Sequence, residues 1–182
     1  MLDSTSGKTG VDEPALAEVA PGKLVVISRP EGDIFLSDDM GATWTAPVTF
    51  GMRMYAPKLL ALRDGTLLCL FGSYCKGHGG FRAIWSTDHG KSWIAPAEDH
   101  GFIIDDSVYG YGAGVELADG SVWCVYYDPG TDKQRKTGIR SIRIRVNAEK
   151  DGLEILPASG VQADGGDSQR KRLQGTLDAD AM

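Results

Sequence analysis

Short apolar segments alternate with polar turns along most of this chain. From Val11 to Val146 the apolar segments are rich in Val, Ile and Leu, and they are separated by Gly, Asp or Pro. Segments of this length and composition, bounded by turn-forming residues, are typical of β-strands. The pattern therefore predicts an all-β chain. The predicted strands and hairpins are Pro14–Val19, Leu24–Ser28, Asp33–Ser37, Ala46–Phe50, Ala56–Tyr74, Phe81–Ser86, Tyr111–Asp128 and Gly138–Val146.

The predicted strands fall into three units that align on the tight turn between their first two strands. These turns contain Gly22, Gly65 and Gly120, so the units are 43 and 55 residues apart. Repeats of about 40 to 50 residues with four short strands are typical of β-propeller blades, each of which is a small antiparallel sheet. The sequence thus predicts three blades of four antiparallel strands over residues 11–156, too few to close a ring.

An eight-residue polar motif occurs twice in the chain. It reads SDDMGATW at Ser37–Trp44, the first turn motif, and STDHGKSW at Ser86–Trp93, the second turn motif. In S-x-D-x-G-x-[ST]-W, the Ser and Asp side chains can bond nearby backbone N–H groups, Gly supplies a positive φ, and Trp attaches the turn to apolar packing. We predict a structural role for Ser37, Asp39, Gly41 and Trp44, and for Ser86, Asp88, Gly90 and Trp93.

The two ends of the chain have a different composition. Residues 1–10 are rich in Ser, Thr, Gly and Lys and are predicted to be a flexible lead-in. Residues 157–182 are polar and glycine-rich, and such a segment cannot bury enough apolar surface to fold, so a disordered tail is predicted.

Charge and hydropathy exclude several classes of function. The net charge of -6, from 25 acidic and 19 basic residues, argues against a nucleic-acid-binding surface. No apolar run approaches the roughly 20 residues that span a bilayer, so no membrane association is predicted. The sequence shows no signal-peptide pattern and leaves the location of the protein open.

The cysteines and histidines do not indicate a metal site. Cys69, Cys75 and Cys124 lack C-x-x-C spacing, and His78, His89 and His100 share no spacing. Cys69 and Cys124 lie within apolar strand segments, where a free thiol behaves as a small buried hydrophobe.

The repeat alignment also locates candidate chemistry. Glu13 and Tyr111 each lie nine residues before the turn glycine of their unit, and Ala56 is the equivalent residue in the middle unit. This position is the start of the innermost strand, so both side chains should point into the central funnel from one face. Because successive strands are antiparallel, the end of the second strand and the start of the third lie on the same face. By this argument Arg29, Lys76 and Arg82 lie on the same face as Glu13 and Tyr111, and the turn motifs lie on the opposite face.

The two turn motifs match the Asp box, or bacterial neuraminidase repeat. From about Asp12 to Val146, roughly three quarters of the chain, the order of elements resembles the C-terminal half of sialidases and related six-bladed propellers. The matching segments are EPALAEVAPGKLVVISR, the L-x-D-G turns, GYGAGVELADG and VYY. The resemblance implies an all-β propeller, a glycosidase that removes a terminal sialic-acid-like sugar, and no cofactor.

The resemblance further implies roles for individual residues. Tyr111 corresponds to the nucleophile and Glu13 to its base, since a neutral phenol approaches a carbon bearing a carboxylate with less repulsion than a second carboxylate would. Arg29 matches the strand-end arginine that binds the substrate carboxylate. Arg82 is a second candidate for binding the substrate carboxylate. Arg140 occupies the equivalent position of the third unit, however, so a structural role for Arg82 in the repeat is supported nearly as well.

Several alternatives stay open at this level. Lys76 is a loop alternative for carboxylate binding. A non-catalytic glycan-binding or scaffold propeller would keep the turn motifs without needing Glu13 and Tyr111 together, and a truncated reading frame without activity is a third reading. Self-association of two copies would complete a six-bladed ring.

Overall fold

The computed structural model describes residues 11–74, 79–96, 101–107, 111–128 and 138–157. All regular secondary structure in these residues is β-strand. The predicted lead-in, and all of the predicted tail except Pro157, lie outside the described residues. The strands are β1 (Asp12–Ala20), β2 (Lys23–Arg29), β3 (Asp33–Ser37), β4 (Val48–Thr49), β5 (Tyr55–Ala61), β6 (Leu67–Ser73), β7 (Gly80–Ser86), β8 (Phe102–Asp105), β9 (Gly112–Glu116), β10 (Val122–Asp128), β11 (Gly138–Val146) and β12 (Leu153–Leu156).

The strands form three four-stranded sheets, and each sheet is a simple meander. The strand order is β1-β2-β3-β4 in the first sheet, β5-β6-β7-β8 in the second and β9-β10-β11-β12 in the third, with all neighbours antiparallel. Each predicted unit is therefore one sheet. The fourth strand of the third sheet, β12, comes from a short apolar cluster that follows the predicted strands.

Tight glycine turns join the first two strands of each sheet, as predicted. Gly22, Gly65 and Gly120 have φ angles of 79°, 86° and 78°, a region that glycine enters without a steric penalty. Aspartate side chains brace two of the turns: Asp64 accepts a hydrogen bond from Thr66 N, and Asp119 accepts one from Ser121 N. The shared turn chemistry explains why the three units align on these glycines.

The apolar core lies between the sheets, in two layers. One layer joins the first and second sheets around Val25, Ile27 and Phe71, and the other joins the second and third sheets around Phe81 and Trp85. Strands β6 and β7 are buried along their whole length because the second sheet is covered on both faces. The predicted burial of Cys69 and Cys124 is confirmed, since both are fully buried.

The sheets are arranged as propeller blades. Strand β1 packs beside β5, and β5 packs beside β9, so the first strand of each sheet is the innermost one. The third blade approaches closely because β9 contains glycine where a side chain would not fit. A Cβ added to Gly112 would lie 2.5 Å from the Phe81 ring. The predicted fold class, three β-propeller blades of four antiparallel strands, is confirmed.

The two turn motifs have the same hydrogen bonds. In the first, Ser37 Oγ donates to Asp39 Oδ1 at 2.8 Å and accepts from Gly41 N at 2.8 Å, while Asp39 accepts from Thr43 N and Thr43 Oγ1. In the second, the equivalent bonds at the same positions join Ser86, Asp88, Gly90 and Ser92.

The backbone and the tryptophans of the turn motifs also correspond. Gly41 and Gly90 both have a φ of 84°. Trp44 is partly buried and lies against Gly41, and Trp93 is partly buried against the layer between the first two blades. Burial of Asp88 opposes its ionisation, but hydrogen bonds from Ser92 and Ser86 outweigh it and lower the pKa to about 2. The carboxylate therefore stays charged and holds the turn across the physiological pH range.

Candidate functional site

Glu13 lies at the start of the innermost strand of the first blade, in an unusual backbone conformation. Its φ is 43°, and the β1–β2 register shifts between Asp12 and Ala15. The residue before a proline ordinarily avoids compact conformations, and a positive φ is costly for any residue with a side chain. The equivalent Ala56, also before a proline, has a φ of 45°. Both blades therefore build the same bulge at the same place, and strained positions of this kind cluster at functional sites.

The Glu13 carboxylate reaches across the boundary between the first two blades. Its Oε2 accepts a hydrogen bond of 2.8 Å from Ala56 N, the amide of the equivalent position in the next blade. The bulge in the second blade turns this amide away from its own sheet, and Glu13 satisfies it. The side chain is thereby fixed near the central axis, where the inner strands meet.

Arg29 ends β2 and lies beside Glu13. Its Nε is 3.0 Å from Glu13 Oε2, but it is not aligned for a hydrogen bond, so the two groups form an ion pair and the buried Nε–H stays unused. A second carboxylate, that of Asp12, lies 3.8 Å from Arg29 Nη2. The guanidinium also lies over the Tyr55 ring, 5.6 Å from the centroid, within the range of a cation–π contact. The Arg29 side chain is 27% exposed, so the ion pair is at the surface of the protein.

Four tyrosines continue the site from Arg29 towards the third blade. Tyr55 and Tyr74 meet edge to face at 4.6 Å, Tyr74 and Tyr111 at 6.3 Å, and Tyr111 and Tyr127 at 5.8 Å. The hydroxyls of Tyr74 and Tyr127 are 3.1 Å apart and share a hydrogen bond. Burial and the bond to Tyr127 raise the pKa of Tyr74 above its usual value, so its phenol stays protonated. We call these four residues the tyrosine cluster.

The structure brings some of the predicted site residues together. Glu13 and Arg29 are in direct contact, and Tyr111 is connected to Arg29 through Tyr55 and Tyr74. Among the described contacts, Glu13 and Tyr111 share no hydrogen bond; the acceptor atoms of Glu13 face Ala56 and Arg29 instead.

Arg82 lies in a different environment from Arg29. It is buried, with 2% of its surface exposed, and it donates to the carbonyl oxygens of Gly101 at 2.9 Å and Gly79 at 3.3 Å. Its guanidinium thus links the residue just before β7 to the residue just before β8. The alternative candidate Lys76 lies outside the described residues.

Arg140 is the centre of a polar network that the sequence does not single out. It occupies the third position of β11, as Arg82 does in β7. Arg140 contacts Asp105 from the second blade at 2.9 Å and Asp128 from the third, and Tyr126 donates to Asp105 at 2.8 Å. Burial would raise the pKa of Asp105, but hydrogen bonds from Ser107, Tyr126 and Arg140 outweigh it and lower the pKa. The network joins blades two and three on the face of the candidate site.

Two further observations concern metals and membranes. Within the residues that the structure describes, no group of three or more His, Cys, Asp or Glu side chains is arranged to hold a metal ion. A search of the same residues finds no helix with the length and apolar character needed to cross a membrane.

Comparison with known proteins identifies the fold. No protein-family model and no curated protein matches the chain. Similar solved structures include a protein of unknown function from Dyadobacter fermentans, with 20% identity over 80% of this chain and 53% of that one and a TM-score of 0.54. The GH43 protein BlXynB of Bacillus licheniformis aligns with 16% identity over 79% and 31% of the two chains, at a TM-score of 0.53. The endo-arabinase of Bacteroides thetaiotaomicron aligns with 10% identity over 85% and 57%, also at 0.53.

These likenesses establish a fold shared with β-propeller glycosidases. At 10 to 20% identity they show architecture alone, and they do not single out a sialidase. The chain spans 31 to 57% of the length of these three structures.

Proposed function

We propose that this chain forms part of a sialidase-like glycoside hydrolase that binds a terminal acidic sugar at Arg29 and uses Tyr111 and Glu13 in its hydrolysis. The observation that carries the proposal is the ion pair of Arg29 and Glu13 at 3.0 Å, next to the tyrosine cluster on the inner strands. An arginine at the surface beside aromatic rings is suited to a sugar that carries a carboxylate, because it offers planar, permanently charged donors.

The proposed reaction has two steps. The Tyr111 phenol oxygen attacks the anomeric carbon as the bond to the leaving group breaks, and Glu13 takes the phenol proton. Glu13 releases this proton to solvent and is again a carboxylate. Water then attacks the same carbon, the bond to Tyr111 breaks, and the proton lost by water passes through Glu13 to the Tyr111 phenolate, giving net retention of configuration. An aryl leaving group departs as its phenolate and needs no acid, so an aryl sialoside is the substrate that tests these residues most directly.

A non-catalytic glycan-binding propeller is the second candidate. The observation in its favour is that Glu13 is already engaged by Ala56 N and Arg29, with no hydrogen bond to Tyr111. For the hydrolase, the carboxylate has to exchange these contacts for the phenol when substrate binds. For a binding protein, the same contacts simply hold Arg29 in place.

Two assays on the same protein separate the candidates. Hydrolysis of 4-methylumbelliferyl α-sialoside measures catalysis, and titration calorimetry with 3′-sialyllactose measures binding. In a completed six-bladed ring, we expect Tyr111→Phe to abolish hydrolysis and Glu13→Gln to slow it. Arg29→Lys should weaken binding about ten-fold or more, because an ammonium cannot replace the planar two-point contact.

The matched control for Arg29 is Arg145→Lys, since Arg145 is a partly exposed arginine that pairs with Asp119 in the β9–β10 turn, at the opposite strand ends from the tyrosine cluster. It should leave both assays unchanged. Binding that depends on Arg29 without any hydrolysis would favour the glycan-binding protein over the hydrolase. Hydrolysis that persists in Tyr111→Phe would exclude the proposed nucleophile, and absence of both activities would exclude both candidates.

A further inference from the structure

The tyrosine cluster is assembled from strand ends of two blades. Tyr55 begins β5, Tyr74 follows β6, Tyr111 precedes β9 and Tyr127 is near the end of β10. Because neighbouring strands are antiparallel, these four places lie on one face of the propeller. The sequence repeat does not require them to be tyrosines, since the residues equivalent to Tyr111 in the other blades are Glu13 and Ala56. Four of the six tyrosines in the chain meet here.

The rings are not buried as a core. Tyr74 is 40% exposed and Tyr111 is 39% exposed, whereas Phe71 and Phe81 in the apolar layers are fully buried. Neighbouring aromatic rings that stay partly exposed are available to contact a ligand. The edge-to-face contacts also fix the rings relative to one another, so the surface is formed before any ligand arrives.

The chemistry of the exposed surface limits its ligand. The hydroxyls of Tyr74 and Tyr127 bond each other, and 40% of the Tyr74 surface is exposed. Arg29, which lies over the Tyr55 ring, is paired with Glu13, and the chain carries a net charge of -6. A nucleic acid would need a basic surface beside its stacking rings. A pyranose has an uncharged, apolar C–H face of similar size to a tyrosine ring, and it fits these features.

We infer that the exposed ring of Tyr74, supported by Tyr55 and Tyr127, stacks against the C–H face of a neutral hexopyranose in the ligand. The inference rests on the proposed function, because it makes this sugar the neighbour of the acidic residue bound at Arg29. The ligand class is then an acidic sugar joined to a neutral hexose. Tyr74 contributes affinity through its ring, and this contribution does not depend on the charge of the ligand.

Neutral and acidic probes distinguish this inference from the proposed function. The probes are lactose and 3′-sialyllactose, with affinity measured by titration calorimetry and ring contact by saturation-transfer NMR. Tyr74→Ala should weaken binding of both probes about ten-fold, the effect of losing one aromatic contact, and should remove saturation transfer to the C–H protons of one hexose face. Tyr74→Phe keeps the ring and should bind both probes as the unaltered protein does. Arg29→Lys should weaken only 3′-sialyllactose.

Circular dichroism and thermal melting show whether each variant is folded, and Val48→Ala removes an exposed apolar side chain elsewhere as a control. Lactose binding that is lost in Tyr74→Ala and kept in Arg29→Lys supports the inference even if no sialoside is bound. Failure of the unaltered protein to bind either probe overturns the inference. An equal loss of affinity in Tyr74→Phe and Tyr74→Ala also overturns it, because the effect would then belong to the hydroxyl. Loss of self-association in Tyr74→Ala, without sugar binding in the unaltered protein, would make the surface a protein contact and also overturn it.

Discussion

Single residues set the geometry where the inner strands begin. Glu13 and Ala56 occupy the same repeat position with nearly the same positive φ, although their side chains have nothing in common. The conformation therefore belongs to the bulge before Pro14 and Pro57 rather than to either side chain. In the first blade that bulge carries a carboxylate, and in the second it presents the amide that the carboxylate binds.

Replacing Ala56 by glycine should stabilise the protein slightly. Glycine relieves about 1 to 2 kcal/mol of left-handed strain and costs about 0.4 to 1 kcal/mol through the greater freedom of the unfolded chain. The expected net gain in the free energy of unfolding is about 0.5 kcal/mol, measured by urea denaturation. Ala17→Gly, in a regular part of β1 without a positive φ, should instead lose about 0.5 to 1 kcal/mol. Equal losses in both variants would show that the bulge is not strained.

The carboxylate of Asp105 should make stability depend on acid pH. Its pKa is lowered in the folded protein, so its contribution is fully present above the ordinary aspartate range and is lost as the pH falls through the lower folded value. Asp105→Asn should cost about 1 to 3 kcal/mol near pH 7, because Arg140 and Tyr126 lose a charged partner. It should also flatten the decline in melting temperature below about pH 4. Asp106→Asn, an exposed neighbour, should change neither, and an unchanged acid profile in Asp105→Asn would contradict the assignment.

Among the elements, the two turn motifs are the ones whose structure follows most directly from their residues. Their hydrogen bonds join positions two to four residues apart, so each motif needs little from the rest of the chain. They differ in burial. Ser37 and Ser86 are both buried, but Gly90 is buried and packs against Val25 of the first blade, whereas Gly41 is only partly buried.

Removing the serine hydroxyl should therefore cost stability in both motifs and more in the second. In Ser86→Ala the amide of Gly90 loses its acceptor in a buried place, which should cost about 1 to 3 kcal/mol, while Ser37→Ala should cost less. Denaturant unfolding measures both. Lys91→Ala, which removes an exposed side chain of the second motif, should stay within about 0.5 kcal/mol of the unaltered protein. A larger loss in Ser37→Ala than in Ser86→Ala would contradict this account.

For the whole molecule, the three blades leave an apolar sheet face without a described neighbour. On the face of the third sheet that points away from the second, Val115, Val125 and Ile139 are 59%, 44% and 78% exposed. In the second sheet, both faces are covered by neighbouring blades. Another blade is therefore the kind of neighbour that fits the open face of the third sheet. We propose that a second copy covers it and brings six blades together.

Sedimentation velocity over a range of concentrations tests this proposal. We expect a reversible dimer, and Ile139→Lys should shift the equilibrium to the monomer because it would place a charge in an apolar contact. Val48→Lys changes another strongly exposed apolar residue, in β4, and should leave the dimer intact. If the protein stays monomeric at concentrations up to about 100 times those of the binding assays, self-association is too weak to form a ring in those assays, and the proposal is wrong.

The sequence alone determined most of the strands, the glycine turns and the hydrogen-bonding residues of the turn motifs, because each depends on residues close together in the chain. The short strands β8 and β12 were not among those predicted. The sequence also predicted that Glu13 and Arg29 lie on one face, since strand alternation and the repeat position are enough for that. Which groups meet on that face was decided by the tertiary structure. Glu13 binds the amide of Ala56, 43 residues away, only because two blades pack side by side.

The same reason explains what the sequence did not reveal. Arg82 and Arg140 occupy the same position of equivalent strands, yet one is buried against backbone carbonyls and the other joins carboxylates from two blades. Tyr74 is unremarkable at the end of an apolar strand until the third blade brings Tyr111 and Tyr127 against it. Local sequence fixes how each strand begins and ends, whereas contacts between blades depend on register and packing over the whole fold.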